Sequence, residues 1–467
     1  MLFNSFIFIV FALLFFAGWQ FFKRKKQSKW IYITLASFVF YGWWDWRFLF
    51  LIIFSGLVDY FAGMFMVKFP KYKKRYLLIS LLMNIGSLAI FKYSLFIAQN
   101  IDVALQTFNV QFKLTEHIPS FALILPVGIS FYTFQSMSYT IDIYKNRLMP
   151  VKNIFHFFAY LSMFPQLVAG PIIRAKDLLK QLAEYRPVSL LMFWNGLKLI
   201  IIGFFQKTVL ADNIGTLVNY SFNDVERYNG VNYWWIVVIA FAFQIYFDFS
   251  GYSLIARGLA KWMGFHFKIN FNHPYLAKSL KDFWQRWHIS LSTWFRDYVY
   301  IPLGGNKKGK FYAHIFMWVT MIVSGIWHGA NWTYVVWGVL HAAFLSLERM
   351  VSFIKKIKFI HYLFSMFLVL IAWVFFRAEN IQQAIAIIEK MFASNWTKEF
   401  YPERFFTAYI FLIVAVLFEF FYWLKSKQKV FAKIYKSQVF ELAEMLVLTL
   451  AILFLRGLEQ EFIYFQF

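Results

Sequence analysis

One histidine, His328, stands in the run Ile326-Trp327-His328-Gly329-Ala330-Asn331-Trp332, between the apolar stretches 316–323 and 332–344. An ionisable side chain at membrane depth is costly and usually faces a cavity or a pathway. Imidazole is also the side chain best placed to move protons near neutral pH. A lone histidine on an apolar face is more often a hydrogen-bonded core residue, so the surrounding pattern has to decide. A second histidine, His288, follows Trp287, and each of the two sits beside a tryptophan in a short polar-aromatic motif. Zinc is the obvious rival reading. The chain has no His-Glu-x-x-His and no carboxylate near His328, and His341 is thirteen residues on, too far to share a helical face. A Gly-x-Ser-x-Gly elbow and a Gly-Lys-Ser/Thr phosphate loop are both absent, which argues against a serine hydrolase and an ATP-driven pump. General-base use of a neutral imidazole in a dry cavity remains. Ser324, Trp327, Asn331 and Trp287 are the neighbours expected to line such a site.

The elements that must position these residues are membrane helices. The 467 residues are 61% hydrophobic and 23% aromatic, with only 15% charged, against roughly 25% in soluble proteins. Apolar runs near spanning length recur at 2–22, 30–44, 48–67, 76–97, 121–141, 190–210, 234–249, 359–376, 406–424 and 439–455. With the two stretches around His328 they suggest about eleven or twelve spans. The expected fold class is an all-α polytopic membrane protein with interfacial or re-entrant helices around a central funnel. The net charge of +24 would suit nucleic acid, but the basic residues cluster between apolar runs, at 23–29, 68–75, 145–152, 307–310, 355–358 and 425–436. The positive-inside rule puts such loops in the cytoplasm, so no nucleic-acid partner is expected. On that scheme the N-terminus lies outside, and if every run crosses so do the last residues, beside Glu459 and Glu461; an odd count would reverse that end. The run 2–22 precedes its basic cluster, so it reads as a retained span rather than a secretory signal. With no cysteine, disulfides, thiolate metal sites, cysteine nucleophiles and palmitoylation are excluded.

One integral-membrane domain is expected: peripheral spans over 1–120, a catalytic core over 121–350, and C-terminal spans and tail over 351–467. Two Pro/Gly motifs, 125–132 and 164–171, interrupt apolar stretches. Helix kinks would explain either alone. Together they fit a cavity, because irregular backbone is tolerated at membrane depth only where protein or water satisfies it. The stretch 272–302 reads as one amphipathic helix at the cytoplasmic interface, with Pro274 near its start and a capping box at Ser279 and Asp282. Its apolar stripe runs through Leu280, Phe283, Trp287, Leu291, Trp294 and Tyr298, with His288 on the apolar side.

The run Phe283–Tyr300, followed by Ile301-Pro302-Leu303-Gly304-Gly305, and the run Trp327–Gly338 resemble the membrane-bound O-acyltransferases. The resemblance is to the bacterial branch that contains the alginate O-acetyltransferase membrane subunit. The segments 125–139, 164–171, 248–258 and 373–378 resemble it too, in the same order over nearly the whole chain. The resemblance implies a helical ring around a funnel, with His328 as the signature histidine and His288 at the second polar position. It implies a cytoplasmic acyl-coenzyme A donor, here acetyl-CoA, and no tightly bound cofactor or metal. It also implies transfer toward an extracytoplasmic polysaccharide in the bacterial inner membrane, with a periplasmic or surface-exposed esterase-like partner.

The chain ends Phe462-Ile463-Tyr464-Phe465-Gln466-Phe467, matching Phe-x-Tyr-x-x-Phe. A similar ending on the small partner peptide of the teichoic acid D-alanylation system is thought to hold an acyl-accepting tyrosine. By that likeness Tyr464 is a candidate acyl acceptor; an aromatic belt anchoring the last span is the plainer explanation. A donor site is less defined. Arg286, Arg296, Lys307 and Lys308, with Arg174 and Lys176, offer charge for coenzyme A phosphates, though positive-inside topology explains each one equally. Asp248 and Asp142 lie at span ends, where they would orient helices rather than react. The competing function is a transporter or flippase for a polysaccharide precursor, for which inverted repeats would be expected and are not found. A scaffold for other export proteins would be indifferent to His328.

Overall fold

The computed structural model describes residues 1, 3–168, 170–350, 357–396, 405–427 and 437–463. The protein is helical, with no β-strand among the described residues. Among the described residues, seven helical segments are long and apolar enough to cross a bilayer: Trp46–Lys68, Pro70–Thr107, Leu190–Asn223, Val231–Trp262, Lys310–His328, Lys358–Arg377 and Phe406–Lys427. Other runs in the estimate of eleven or twelve spans form helices of 16 to 19 residues, namely Phe6–Phe22, Lys26–Gly42, Ile129–Tyr144, Trp332–Met350 and Gln438–Phe454. At 1.5 Å per residue the four of 16 or 17 residues reach roughly 24–26 Å, short of a ~30 Å hydrocarbon core, whereas Trp332–Met350 equals Lys310–His328 in length and differs in composition. This is a multi-pass membrane protein.

The chain forms two compact units, one of Met1–Phe193 with Leu259–Lys268, the other of Trp194–Gly258 with Ile269–Phe467. In the first unit, Phe164 meets Phe11 and Phe15 edge-on, with ring centroids 5.2 and 4.9 Å apart. Buried Asp59 accepts hydrogen bonds from Asn84, at 2.8 Å, and from Ser136. Such interhelical polar contacts hold membrane helices together where apolar burial gives little preference between protein and lipid. The two Pro/Gly motifs meet here. Gly128, at φ +74°, lies so close to the second motif that a Cβ would stand 2.7 Å from the Leu167 carbonyl oxygen. Gln166 Nε2 in that motif donates to the Tyr160 carbonyl at 2.9 Å. Their irregular backbone is therefore packed against protein.

In the second unit, two close helix crossings matter. Val231–Trp262 runs 32 residues, and a Cβ on its Gly251 would stand 2.6 Å from the Gly203 carbonyl of Leu190–Phe204. Lys310–His328 and Trp332–Met350 form a hairpin in which Gly325 faces Gly338. A Cβ on Gly338 would lie 2.6 Å from the Met321 carbonyl and 3.3 Å from the Gly325 Cα, so only hydrogen fits on either side. Small residues let membrane helices approach to backbone contact, and this contact sits three residues before His328.

The stretch 272–302 departs from the single amphipathic helix its apolar stripe suggested. Pro274 opens a short 3₁₀ turn, Pro274–Leu276, and Ser279 caps the helix Leu280–Arg286, its hydroxyl accepting from the Asp282 amide at 3.0 Å. Buried Glu348 pins the same end, accepting from the Leu280 amide at 2.8 Å. The helix then stops. His288 takes a left-handed conformation (φ 40°, ψ 55°), and a new helix, Ile289–Phe295, begins after it. The extended segment ahead of Pro274 causes the break: Asn272 N–H donates to the Arg286 carbonyl and Ile289 N–H to the Asn270 carbonyl, both at 2.9 Å. Those two bonds take backbone groups that a continuous helix would have used.

Candidate functional site

His288 is fully buried at this break. The left-handed conformation costs a non-glycine residue of order 1–3 kcal/mol and persists only where surrounding structure enforces it. Asn270 is the enforcing residue. Its Oδ1 lies 3.3 Å from His288 Nδ1 and accepts from the Ser290 amide at 3.1 Å and the Ser290 hydroxyl at 2.8 Å. The imidazole stands edge-on to Phe249 at 4.6 Å and lies 6.1 Å from the Phe271 ring. Burial pushes its pKa down to about 3, so the ring is neutral near pH 7. A neutral imidazole whose Nδ1 faces a carbonyl oxygen carries its proton there, leaving Nε2 as the basic nitrogen.

His328 is the last residue of its helix and is buried. Its ring packs on Trp327 and Trp337, both at 5.0 Å, and on Phe376 at 5.3 Å. Ser324, one helical turn earlier, is buried as well. Trp287 is buried against Trp373, at 5.0 Å, and Phe271, at 5.1 Å. Trp373 in turn meets Phe376 at 5.3 Å and Trp337 at 6.3 Å. A run of ring contacts through Phe271, Trp287, Trp373 and Phe376 thus links the two histidines in one aromatic layer, although forty residues separate them in sequence.

Other expected site residues fall elsewhere. Asn331 caps Trp332–Met350: its Oδ1 accepts from the Thr333 amide at 3.1 Å and its Nδ2 donates to the Glu379 carbonyl at 2.7 Å. Arg286 is engaged by Asp282, Nε to Oδ1 2.7 Å, and also donates to the Asn272 carbonyl at 3.3 Å. Arg296 pairs with Asp297 at 2.7 Å on an exposed face. Lys307 and Lys308 are exposed, with the Lys308 ammonium 5.9 Å from the Phe316 ring centre. Of the four cations, these two lysines have charge least committed within the chain.

One buried histidine went unread in the sequence as a site residue. His341 is fully buried, edge-on to Trp337 at 4.6 Å and Trp284 at 5.0 Å. Trp337 therefore stands between His328 and His341. Among the described residues, neither ring nitrogen of His341 has a hydrogen-bond partner, nor does the indole nitrogen of Trp284 or Trp337. Buried polar atoms are usually hydrogen-bonded, so these four nitrogens are exceptions in the layer. The spacing of Trp337 and His341, four apart on one helical face, was the available signal. Among the described residues no three His, Asp or Glu side chains converge as metal ligands would.

Tyr464 lies outside the described residues. The residues just before it are buried: Phe462 packs on Tyr252 at 5.0 Å and on Phe249 at 5.7 Å, and the Ile463 amide donates to Asp248 Oδ2 at 2.7 Å. Phe249 is the ring that meets His288, so the C-terminal tail runs into the same aromatic layer.

Comparison with known proteins gives the family. Residues 69–382 match the membrane-bound O-acyltransferase family. The chain is 37% identical to "Probable alginate O-acetylase AlgI" of Pseudomonas aeruginosa over 402 residues, covering 84% of this chain and 75% of that one. It is 33% identical to the "Peptidoglycan O-acetyltransferase" of Helicobacter pylori over 404 residues, covering 78% and 74%. It is 28% identical to the "Teichoic acid D-alanyltransferase" of Bacillus subtilis over 239 residues, covering 49% and 60%. The chain belongs to the membrane-bound O-acyltransferase family and is an O-acyltransferase.

Proposed function

We propose that the protein moves an acetyl group from cytoplasmic acetyl-CoA across the bacterial inner membrane for O-acetylation of an extracytoplasmic polysaccharide. His328 is the general base, His288 the polariser or proton relay, and Tyr464 the acyl relay. The observation that supports this reading is the buried tail: Phe462 and the His288 imidazole share Phe249, so the residues just before Tyr464 lie beside one of the two proposed histidines. Acetyl is favoured over D-alanyl because the relatives named for O-acetylation match about four-fifths of the chain, whereas the D-alanyltransferase matches half. The acceptor is an alginate-like or other cell-surface glycan. Both termini lie outside, and an esterase-like periplasmic or surface-exposed partner takes the acetyl group onward.

The chemistry follows from ordinary pKa values. A phenol, with pKa about 10, is roughly one part in a thousand ionised at pH 7, so attack on a thioester needs a base. Neutral His328 takes the Tyr464 hydroxyl proton as the oxygen adds to the thioester carbonyl. The tetrahedral intermediate collapses with cleavage of the C–S bond, and the imidazolium returns the proton to the leaving thiolate. The products are an aryl acetate on Tyr464 and free coenzyme A. A glycan or partner hydroxyl then attacks that ester and regenerates the phenol. His288, neutral with Nε2 basic, suits hydrogen bonding or proton relay rather than fixed positive charge. Lys307 and Lys308 supply charge for the coenzyme A phosphates.

The test is purified protein in detergent with radiolabelled acetyl-CoA. Label should appear on the protein and be lost in Tyr464→Phe. Transfer by His328→Ala at the parent rate would remove the general-base assignment.

A further inference from the structure

Lys207 lies in a π-helical stretch, Phe205–Ala211, that continues the helix Leu190–Phe204. Such wide turns recur at functional sites. Its ammonium is buried and meets three oxygens: Asp212 Oδ1 at 2.8 Å, Asp248 Oδ1 at 2.7 Å and the Gln460 carbonyl at 3.1 Å. It donates hydrogen bonds to Asp212 Oδ1 and the Gln460 carbonyl and is ion-paired with Asp248 Oδ1, so one of the three partners belongs to the C-terminal tail. Asp212 and Asp248 are each 2% exposed, so two buried carboxylates surround one buried cation. Surplus buried charge is tolerated only where additional hydrogen bonds satisfy it. The tail supplies one, from the Ile463 amide to Asp248 Oδ2 at 2.7 Å.

The remaining contacts extend the same pattern. Gly457 N–H donates to the Thr208 carbonyl at 2.8 Å, and Asn213 Nδ2 donates to the Leu455 carbonyl at 2.9 Å. A Cβ on Gly457 would stand 2.7 Å from the Asn213 amide nitrogen, so the backbones touch. Asn219 Nδ2 donates to the Gln460 side chain at 2.9 Å, and Arg377 Nη2 donates to Asn219 Oδ1 at 3.0 Å. Four of the five tail bonds reach tail backbone, which fixes position whatever side chains the tail carries.

The geometry points to a socket: Lys207, Asp212 and Asp248 dock residues 457–463 by their backbone and so position the next residue, Tyr464, for acyl transfer. The three are positioning residues that touch neither donor nor acyl group. The inference rests on the tyrosine-relay reading for its second half only; docking of the tail stands without it.

The test uses the full chain in detergent with a single cysteine at Ile463, which is buried, in a protein that otherwise has none. Maleimide modification reads docking, and radiolabelled acetyl-CoA, in the same variants with Ile463 native, reads acylation. Asp248→Asn and Lys207→Met should speed modification of the reporter about 10- to 100-fold, the range of a hydrogen bond to a charged group. They should slow labelling of Tyr464 by a similar factor, with KM for acetyl-CoA unchanged. A cysteine at Ser365, also buried, controls for unfolding and must stay protected. If either variant unfolds, Asn219→Ala, which removes the Gln460 side-chain contact together with the bond from Arg377 and leaves the backbone contacts of the tail in place, should give a smaller effect of the same sign. A reporter that stays protected in the socket variants overturns docking. A freed tail that is labelled at the parent rate overturns positioning. Label retained in Tyr464→Phe overturns the relay reading while leaving the docking measurement intact.

Discussion

Gly338→Ala tests whether the position of His328 depends on how closely its helix is held. The added Cβ would sit 2.6 Å from the Met321 carbonyl oxygen, 3.1 Å from the Ile322 Cα and 3.3 Å from the Gly325 Cα. All three are backbone atoms, so no side-chain rotation relieves the clash. Restoring an ordinary contact of ~3.4 Å requires the two helices to separate by about 0.8 Å. His328 is seven residues after Met321 and three after Gly325, at the end of the displaced helix, so it moves with it. Overpacking of this kind costs roughly 1–3 kcal/mol, which lowers the thermal midpoint but leaves a folded protein. A shift near 1 Å at a reacting group can cost about 100-fold. The expected result is a 10- to 100-fold fall in acetyl transfer at saturating acetyl-CoA. Gly86→Ala is the control, because nothing lies within 4 Å of its added methyl. It should leave transfer unchanged and raise helix stability by up to about 1 kcal/mol. A folded Gly338→Ala protein that transfers at the parent rate would show that His328 placement does not depend on this crossing.

On the proposed mechanism, His328→Ala should lower transfer by about 100- to 10,000-fold, the usual contribution of a positioned general base, measured under single-turnover conditions. His288→Asn keeps a residue that tolerates the left-handed backbone; it should fold, so its loss of transfer reports the imidazole itself, read from the label against the melting curve. His288 has its folded pKa lowered to about 3, below the ~6.5 of an unfolded histidine. Its neutral burial therefore favours folding fully above pH 6.5, and that contribution is lost as pH falls from there toward 3. The melting temperature of the parent should drop more between pH 7 and 4 than that of His288→Asn. For topology, single cysteines at Lys26 and Glu459 should react with an impermeant maleimide from opposite sides of the membrane.

The membrane class is legible in composition because the bilayer acts on each segment separately: an apolar run near 20 residues long declares itself without reference to the rest of the chain. Local caps are legible for the same reason, as Ser279 and Asp282 illustrate. His328 stood out because a titratable ring between apolar runs is anomalous on its own. The break at His288 did not show, since the apolar stripe runs unbroken through it and the bonds that interrupt the helix come from Asn270 and Asn272, on a separate segment. Asn331, expected as site lining from its place beside His328, also caps a helix through bonds with the Thr333 amide and the Glu379 carbonyl, which its motif did not announce. His341 entered the site only because helix packing sets Trp337 between it and His328.

The tail separates the two kinds of information most clearly. Its aromatic pattern is written in six consecutive residues. What holds the chain just ahead of that pattern is Lys207 and Asp248, 253 and 215 residues away from their partners Gln460 and Ile463. No periodicity or motif encodes a bond between a buried carboxylate and a backbone amide at that separation. Sequence alone determined the solvent, the family-like motifs and the candidate nucleophile and base. Which of these share one aromatic layer, and what clamps the tail, was decided by packing, because burial and hydrogen-bond satisfaction are properties of the assembled helices.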